Sequence, residues 1–417
     1  MKIIAACFLF FTCGTAVAQE ISEIFIEKNK KTKTAFIKKI SKVREGQLLD
    51  SLTLQNDIAR LKRLPAIAHA YYEVIENMDG SVNVVYGVDE NFTIIPSANV
   101  YTTNNDEFAY KLGLYEFNGL GQNIIVGGYY QRDIYNSAGV NLRAPYLFSS
   151  QMGLAVNYQN LTTQEPVFLE TGEAQYKYNN TSYEVLGLYE FTLNHKVALG
   201  GSYFTEMYNY KSGATNPDVP QTLEVDKILY KLLYEYNTVD TFYQYIEGFK
   251  SLFNFQYVQS SDDTLPDFVI GYNDFIYYKR VGAKGNWASR LRLGVATNNK
   301  TPFAPFAVDN NLNIRGVGNT IDRGTAAIVL NTEYRYTLFE KNWFVLQGNA
   351  FVDGGSWRNP GGDFGDFGDE QNLRIYPGMG VRFIHKRIFN TVFRIDYGYG
   401  ITNNSTRGFV FGIGQYF

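Results

Sequence analysis

Cysteine is nearly missing from this chain. Cys7 and Cys13 both lie within the first thirteen residues, so the remainder can build neither a disulfide nor a thiolate metal site. Histidine is almost as scarce. His69, His195 and His385 are far apart in sequence, which leaves Ser/His/Asp or Cys/His chemistry without local support. No enzymatic activity, cofactor or metal is therefore expected. Charged residues make up 19% of the chain, below the roughly 25% of soluble domains. A formal net charge of -3 and a pI near 5.8 argue against a nucleic-acid partner. Past the first eighteen residues no apolar run reaches the roughly 18 needed for a membrane-spanning helix.

What is present is aromatic and glycine-rich: 33 Tyr, 31 Phe and 38 Gly. With no spanning helix, that composition points to an outer-membrane β-barrel, the alternative being an array of soluble β-sandwiches. The first eighteen residues stand apart. Lys2, an apolar run over 3–11 and the small-x-small site Ala16-Val17-Ala18 before Gln19 read as a secretory signal peptide. Phe10-Phe11-Thr12 make a poor approach to Cys13 as a lipid anchor.

Residues 19–91 read as a small separate domain. Ile24-Phe25-Ile26 suggests a strand, and Thr34 is positioned to cap a helix running to about Lys42. Ser51 opens a second helix, with Leu54, Ile58, Leu61 and Leu64 at helical spacing, and Pro65 stops it. Two strands, 67–76 and 82–89, flank Met78-Asp79-Gly80-Ser81, where Asp-Gly is a hairpin signal. The β-α-α-β-β order, with Gly46, Asp57, Leu61, Tyr72 and Glu90, resembles a POTRA domain. That resemblance implies partner binding by strand addition to an open sheet edge. Between Lys28 and Arg44 the basic residues, among them Lys30, Lys33, Lys38 and Lys39, meet no acid. They form either a docking face for a client, partner or lipid headgroups, or a solvated face.

From Phe92 to Phe417 the chain repeats segments of alternating polarity broken by Asn, Gly, Asp and Ser. Examples are 107–117, 122–133, 196–207, 285–297 and 343–353; the stretch 150–192 divides ambiguously. At roughly 20 residues per strand and connection, about sixteen antiparallel strands fit. Phe344, Leu346, Ala350 and Val352 share one face, and Gln347, Asn349 and Asp353 the other. Asn331, Glu333 and Arg335 alternate with Ile328, Leu330, Tyr334 and Tyr336. A barrel with a wet lumen satisfies both faces; a sandwich buries the charges. Short turns at 338–342 and 385–387 alternate with long connections at 298–324 and 356–373. Counting back from the C-terminus puts that terminus and the N-terminal domain in the periplasm. Phe409, Phe411, Ile413 and Phe417 are expected to share one face of a terminal strand.

Five segments carry a wider resemblance: Asn118-Gly119-Leu120-Gly121-Gln122, Asn141 to Phe148, Asn313-Ile314-Arg315-Gly316, Phe351-Val352-Asp353-Gly354-Gly355, and Gly378 to Arg382 followed by Arg394-Ile395-Asp396-Tyr397. In this order, behind the POTRA-like domain, the chain resembles the BamA/TamA-type proteins of the bacterial surface antigen superfamily. The resemblance implies an all-β transmembrane barrel whose 298–324 loop folds back into the lumen. Arg315 would then contact Asp353, with Glu333 as a second acceptor, while Gly316 and Gly318 shape the tip. The family's aromatic residue after Arg-Gly is replaced by Val317 here.

The same resemblance implies assembly or insertion of other proteins at the outer membrane of a Gram-negative bacterium. Its partners would be outer-membrane lipids, unfolded outer-membrane or secreted clients, and accessory periplasmic proteins. The client would enter at a seam formed by Phe92 to Tyr101 and Gly408 to Phe417, weakened by Gly412 and Gly414. Alternatives are a dedicated polypeptide secretion pore and a passive channel or scaffold. The acidic segment 361–370 offers Asp363, Asp366 and Asp369, at a spacing that is not that of a calcium loop.

Overall fold

The computed structural model describes residues 19–102, 108–169, 171–263, 265–300, 305–307, 313–317, 323–386, 388, 392–403 and 405–417. The expected signal peptide, Gly318 and Arg387 lie outside the described residues.

The N-terminal domain runs β1 (Ile21–Glu27), α1 (Thr34–Ile40), α2 (Ser51–Lys62), β2 (Ile67–Glu76) and β3 (Val82–Glu90). Its sheet has the order β1-β3-β2, with β1 parallel and β2 antiparallel to β3. The helices cover one face. Phe36, Ile37, Ile40, Leu54 and Leu61 bury against Val82, Val84, Tyr86 and Val88, which alternate along one face of β3. Ser51 opens α2 as expected, and Asp50 caps it, accepting from the N–H groups of Leu52 and Thr53 at 3.1 Å each. Thr34 lies inside α1, and Lys33 at the cap position makes no side-chain capping bond. Asp57 is fully buried but satisfied by the N–H groups of Lys42 and Val43 and the Tyr86 hydroxyl at 2.8, 3.1 and 3.0 Å.

The second domain begins with β4 (Ile94–Thr102), β5 (Phe108–Gly119), β6 (Ile124–Arg132), β7 (Asn136–Ala144), β8 (Met152–Leu169), β9 (Gly172–Glu190) and β10 (His195–Gly213). It continues through β11 (Thr222–Asn237), β12 (Asp240–Phe242), β13 (Tyr245–Ser260), β14 (Phe268–Val281), β15 (Gly285–Ala296), β16 (Phe306–Ala307) and β17 (Arg323–Gly324). It ends with β18 (Ala326–Lys341), β19 (Phe344–Arg358), β20 (Leu373–His385), β21 (Val392–Tyr399) and β22 (Arg407–Ile413). These make a closed 16-strand antiparallel barrel. The short β12 pairs with β13, and β16 pairs with β17 within the 298–324 loop. The ambiguous stretch 150–192 is a single long hairpin, β8 with β9.

Side chains alternate as the period-2 reading expects. Leu330, Tyr336 and Val352 are exposed on the outer face, while Glu333, Arg335 and Asp353 are buried within the barrel. Strands β8 to β11 exceed the roughly 9–11 residues a bilayer requires, and the surplus can be located. Tyr158, Tyr183 and Tyr203 stand directly opposite one another on the outer face. One step further along, the facing row is Asn160, Thr181, Thr205 and Asp226. The change from aromatic to polar marks where the apolar band ends and the strands continue past it.

The N-terminal domain packs against the end of the barrel that carries the short turns. Lys33 N–H donates to Gly121 O at 3.0 Å, and Asn118 Nδ2 to Thr32 Oγ1 at 3.1 Å. Arg60 pairs with Glu190 in a buried contact, and Glu190 also accepts from the Tyr146 hydroxyl at 2.9 Å. Tyr146 itself joins the core of the N-terminal domain. Lys39 donates to Tyr146 O at 2.7 Å, and Lys38 pairs with Glu45 at 3.2 Å, while Lys30 is exposed. The basic segment is therefore partly spent on the protein's own barrel, an arrangement that neither reading of it anticipated.

Candidate functional site

The 298–324 loop brings Asn313 to Val317 into the lumen. Ile314 and Val317 bury there beside Val329, Trp357 and Tyr376, with Phe306 packed alongside. Val317 thus fills an apolar pocket despite lacking a ring, and its carbonyl accepts from Thr406 Oγ1 at 2.8 Å. Gly316 has φ 92°, and a Cβ there would sit 2.6 Å from Gly398 O. The tip lies so close to β21 that no side chain fits between them.

That approach delivers Arg315 to the inner wall. Arg315 Nε and Nη2 donate to Asp353 Oδ2 and Oδ1 at 2.8 and 2.9 Å, and its backbone N–H adds a third bond to Oδ2 at 3.0 Å. Nη1 donates to Glu333 Oε2 at 2.7 Å and lies 3.7 Å from Asp396 Oδ2. The planar fork of arginine suits this two-point grip; lysine has no equivalent. Arg315, Glu333 and Asp353 are 0%, 1% and 0% exposed, so each charge depends on the others for compensation.

The network extends beyond the residues named from sequence. Arg382 Nη2 donates to both Glu333 oxygens at 2.6 and 2.8 Å, and Arg335 also pairs with Glu333. Arg394 donates to Asp396 Oδ2 at 3.2 Å, and Asn349 donates to Asp396 Oδ1 at 3.0 Å. The Arg315 guanidinium carbon lies 3.6 Å from the Phe351 ring centre and 4.4 Å from that of Tyr416. Arg335 was visible as an inward charge in an alternating pattern, and Arg382, Arg394 and Asp396 lay in the segments that carry the resemblance. What places them at one height is the stagger of β18 to β21, which no local pattern reveals.

The seam is narrower than expected. Among the described residues, β22 pairs with β4 only through Val410 with Tyr101, Phe411 with Val100, and Gly412 with Asn99. Phe92 is not part of it, forming an isolated bridge with Ile388 near the turn end. Gly414 lies beyond the ladder, its N–H donating to Val392 O at 2.8 Å. Nor does Phe417 share the outer face of Phe409 and Phe411. The strand stops at Ile413, Gly414 takes φ 104°, and the tail turns into the lumen. Phe417 there packs beside Ile276, Tyr278 and Ala288.

The remaining candidates stay separate. His69, His195 and His385 contact Tyr71, Tyr234 and Trp343 respectively, on different elements. Asp363 and Asp366 turn their carboxylates onto the N–H groups of Gly365 and Asn359 at 2.6 and 2.9 Å. Among the described residues no group of three potential metal ligands converges.

Comparison with known proteins agrees with this geometry. Residues 19–91 match the POTRA family, described as "Surface antigen variable number repeat", so the N-terminal domain is a POTRA domain. A structure of BamA from Haemophilus ducreyi lacking POTRA domains 1-3 is similar at TM-score 0.56 and 15% identity, over 95% of this chain and 84% of that one. CdiB from Acinetobacter baumannii is similar at TM-score 0.64 and 12% identity, over 95% of this chain and 74% of the other. CdiB from Escherichia coli gives the same TM-score and identity, covering 95% and 77%. At these identities the likeness is one of fold: a POTRA domain ahead of a sixteen-stranded barrel. No curated protein sequence matches the chain.

Proposed function

We propose that this protein assembles or inserts other proteins at the outer membrane of a Gram-negative bacterium, with its POTRA domain in the periplasm. The carrying observation is the seam. Every other neighbouring pair of long strands in the barrel shares seven or more residue pairs, but β22 and β4 share three. Among the described residues, Ile94 to Ala98 of β4 pair only with β5. A row of unpaired backbone donors and acceptors in an apolar medium is a template for an incoming strand. The role is not enzymatic. Clients are unfolded outer-membrane or secreted proteins, helped by accessory periplasmic proteins and surrounded by outer-membrane lipids.

A dedicated secretion pore is the second reading, and the fold it shares with CdiB keeps it in play. The lumen favours insertion over conduction, since the Arg315 loop and the C-terminal tail both occupy it. The test is a seam locked by Val100→Cys with Phe411→Cys, which face each other across it. No cysteine follows Cys13, so the engineered pair has no competitor outside the expected signal peptide. Oxidation is expected to lower the levels of several other barrels in outer-membrane proteomics, and reduction to restore them. Unchanged levels of all of them would overturn insertion; loss of a single secreted protein would favour the pore.

A further inference from the structure

The wall of the barrel that faces the Arg315 loop from across the lumen carries a second polar surface. Strands β7 to β10 lie half-way round the closed barrel from β18 to β21. On them Asn141, Asn157, Gln159, Asn180 and Ser182 alternate with Val140, Val156, Tyr183 and Val185, which are exposed on the outer face. Asn141 stands opposite Asn157, and Gln159 opposite Ser182, across neighbouring strands. These side chains border a cavity of about 370 Å³, within the roughly 300–1,000 Å³ of small-molecule sites. No residue of the Arg315 network is among those that line it.

The lining has hydrogen-bonding capacity to spare. Among the described residues, the side chains of Asn141, Asn180 and Ser182 make no hydrogen bond to protein. The Tyr129 hydroxyl donates to Gln159 Oε1 at 3.0 Å, which leaves the Gln159 amide donors over. Charge, by contrast, is already balanced. Glu184 accepts from Asn157 Nδ2 at 2.7 Å and from Ser202 Oγ at 3.2 Å, and it pairs with Lys231. These two are the only acid and base in the lining, so the cavity offers no net charge to a ligand. A side-chain amide both donates and accepts, as a hydroxyl does. A cluster of amides therefore complements a ligand that carries many hydroxyls. The rings of Tyr115 and Phe204 add apolar surface for the C–H groups between them. A polypeptide is matched less well. Strands β7 to β10 are paired on both sides at these positions, so the cavity has no free edge for strand addition.

We infer that this cavity is a binding site for an uncharged saccharide of one or two rings, its hydroxyls held by Asn141, Gln159, Asn180 and Ser182. Neither the seam nor the Arg315 loop contributes to the site, so it does not depend on what the barrel inserts.

The test is isothermal titration of the full chain, folded in a detergent without a sugar headgroup, with maltose, cellobiose, lactose and trehalose as probes. At least one of them is expected to bind saturably, with a dissociation constant in the millimolar range or below. Asn141→Leu/Asn180→Leu removes polar groups that hold nothing else in the protein and should weaken that binding about ten-fold or more. If the double variant does not fold, Ser182→Ala carries the comparison, with a loss of about three-fold or more. No saturable binding of any probe up to about 50 mM, or equal affinity in the variant and the unaltered protein, overturns the site. The tripeptide Ser-Tyr-Ser, capped at both ends, is titrated alongside. Weaker binding than the best sugar is expected, and binding as tight as that sugar overturns the proposal in favour of a polypeptide.

Discussion

Arg315 spends its whole donor fork on carboxylates that have no contact with solvent. Removing it leaves Asp353 short of its partner and Glu333 short of one of three, a loss of about 3–5 kcal/mol for a fully buried pair. The barrel ladder is untouched, so Arg315→Ala is expected to fold while the loop is released. Limited proteolysis should cut within 298–324 at a rate ~100-fold higher, since each 1.4 kcal/mol is a factor of ten. Arg315→Lys keeps the charge but not the two-point grip and should fall between the two. Gly316→Ala should match Arg315→Ala through a different cause, its Cβ driven against Gly398 O at a backbone angle that L-residues avoid. A wild-type cleavage rate in both would mean that the loop is held elsewhere. Tyr416→Phe removes a buried, unpaired hydroxyl and should leave the melting temperature unchanged or raise it.

Among the elements, the POTRA domain is held by two kinds of contact. One is apolar, Tyr146 inserted into its core; the other is the buried Arg60 and Glu190 pair. Arg60→Ala leaves Glu190 with Tyr146 and with Lys196 at 3.4 Å. Docking should loosen without unfolding either domain, read as faster hydrogen exchange in α1 and in the 144–151 turn while β3 stays protected. Unchanged exchange there would show that the apolar contact suffices. Carboxylates set the pH limit of this domain. The Ile24 N–H and then Lys38 hold Glu45 below the usual carboxylate range, and the Thr53 hydroxyl and Leu52 N–H do the same for Asp50. Burial pushes Glu90 up, but the N–H groups of Lys31 and Thr32 outweigh it, and its net shift is downward. A carboxyl with a lowered folded pKa binds its proton more weakly folded than unfolded. Its stabilisation is therefore complete above the unfolded value of roughly 4 and is lost as pH falls through the folded value. Amide protection in α2 and at the Lys31–Thr32 turn should hold from pH 7 to about 5 and decline below about 4; a decline starting above pH 6 would contradict this.

At the scale of the whole molecule, one arrangement joins seam, tail and loop. The three-pair seam carries the tail, the tail meets Arg315, and Arg315 fixes the loop to three strands, β18, β19 and β21, the last of them paired with the seam strand β22. Locking the seam through Val100 and Phe411 is therefore expected to protect the loop from protease as well as to block function. A locked seam with an unchanged loop would separate the two devices.

Strand, face and strand number were legible in the chain because they are local. Alternation of Ile328, Leu330 and Tyr334 with Asn331, Glu333 and Arg335 needs only the period of two that any strand imposes, and an apolar outer face with charges inside has one economical solution. The POTRA order followed in the same way from helical spacing and an Asp-Gly turn. The Arg315 contact with Asp353 was implied by motif resemblance rather than derived from pattern. What only the tertiary structure decided depends on how distant strands are staggered. Arg335, Arg382, Arg394 and Asp396 meet because the stagger of β18, β20 and β21 brings them to one height, and local sequence does not encode that stagger. The POTRA domain spends Lys33 and Lys39 on turns of the barrel more than eighty residues away. The final residues read as a strand by composition, but the backbone turns at Gly414 and carries Tyr416 and Phe417 into the lumen, beside guanidinium groups from β15, β18, β21 and the loop.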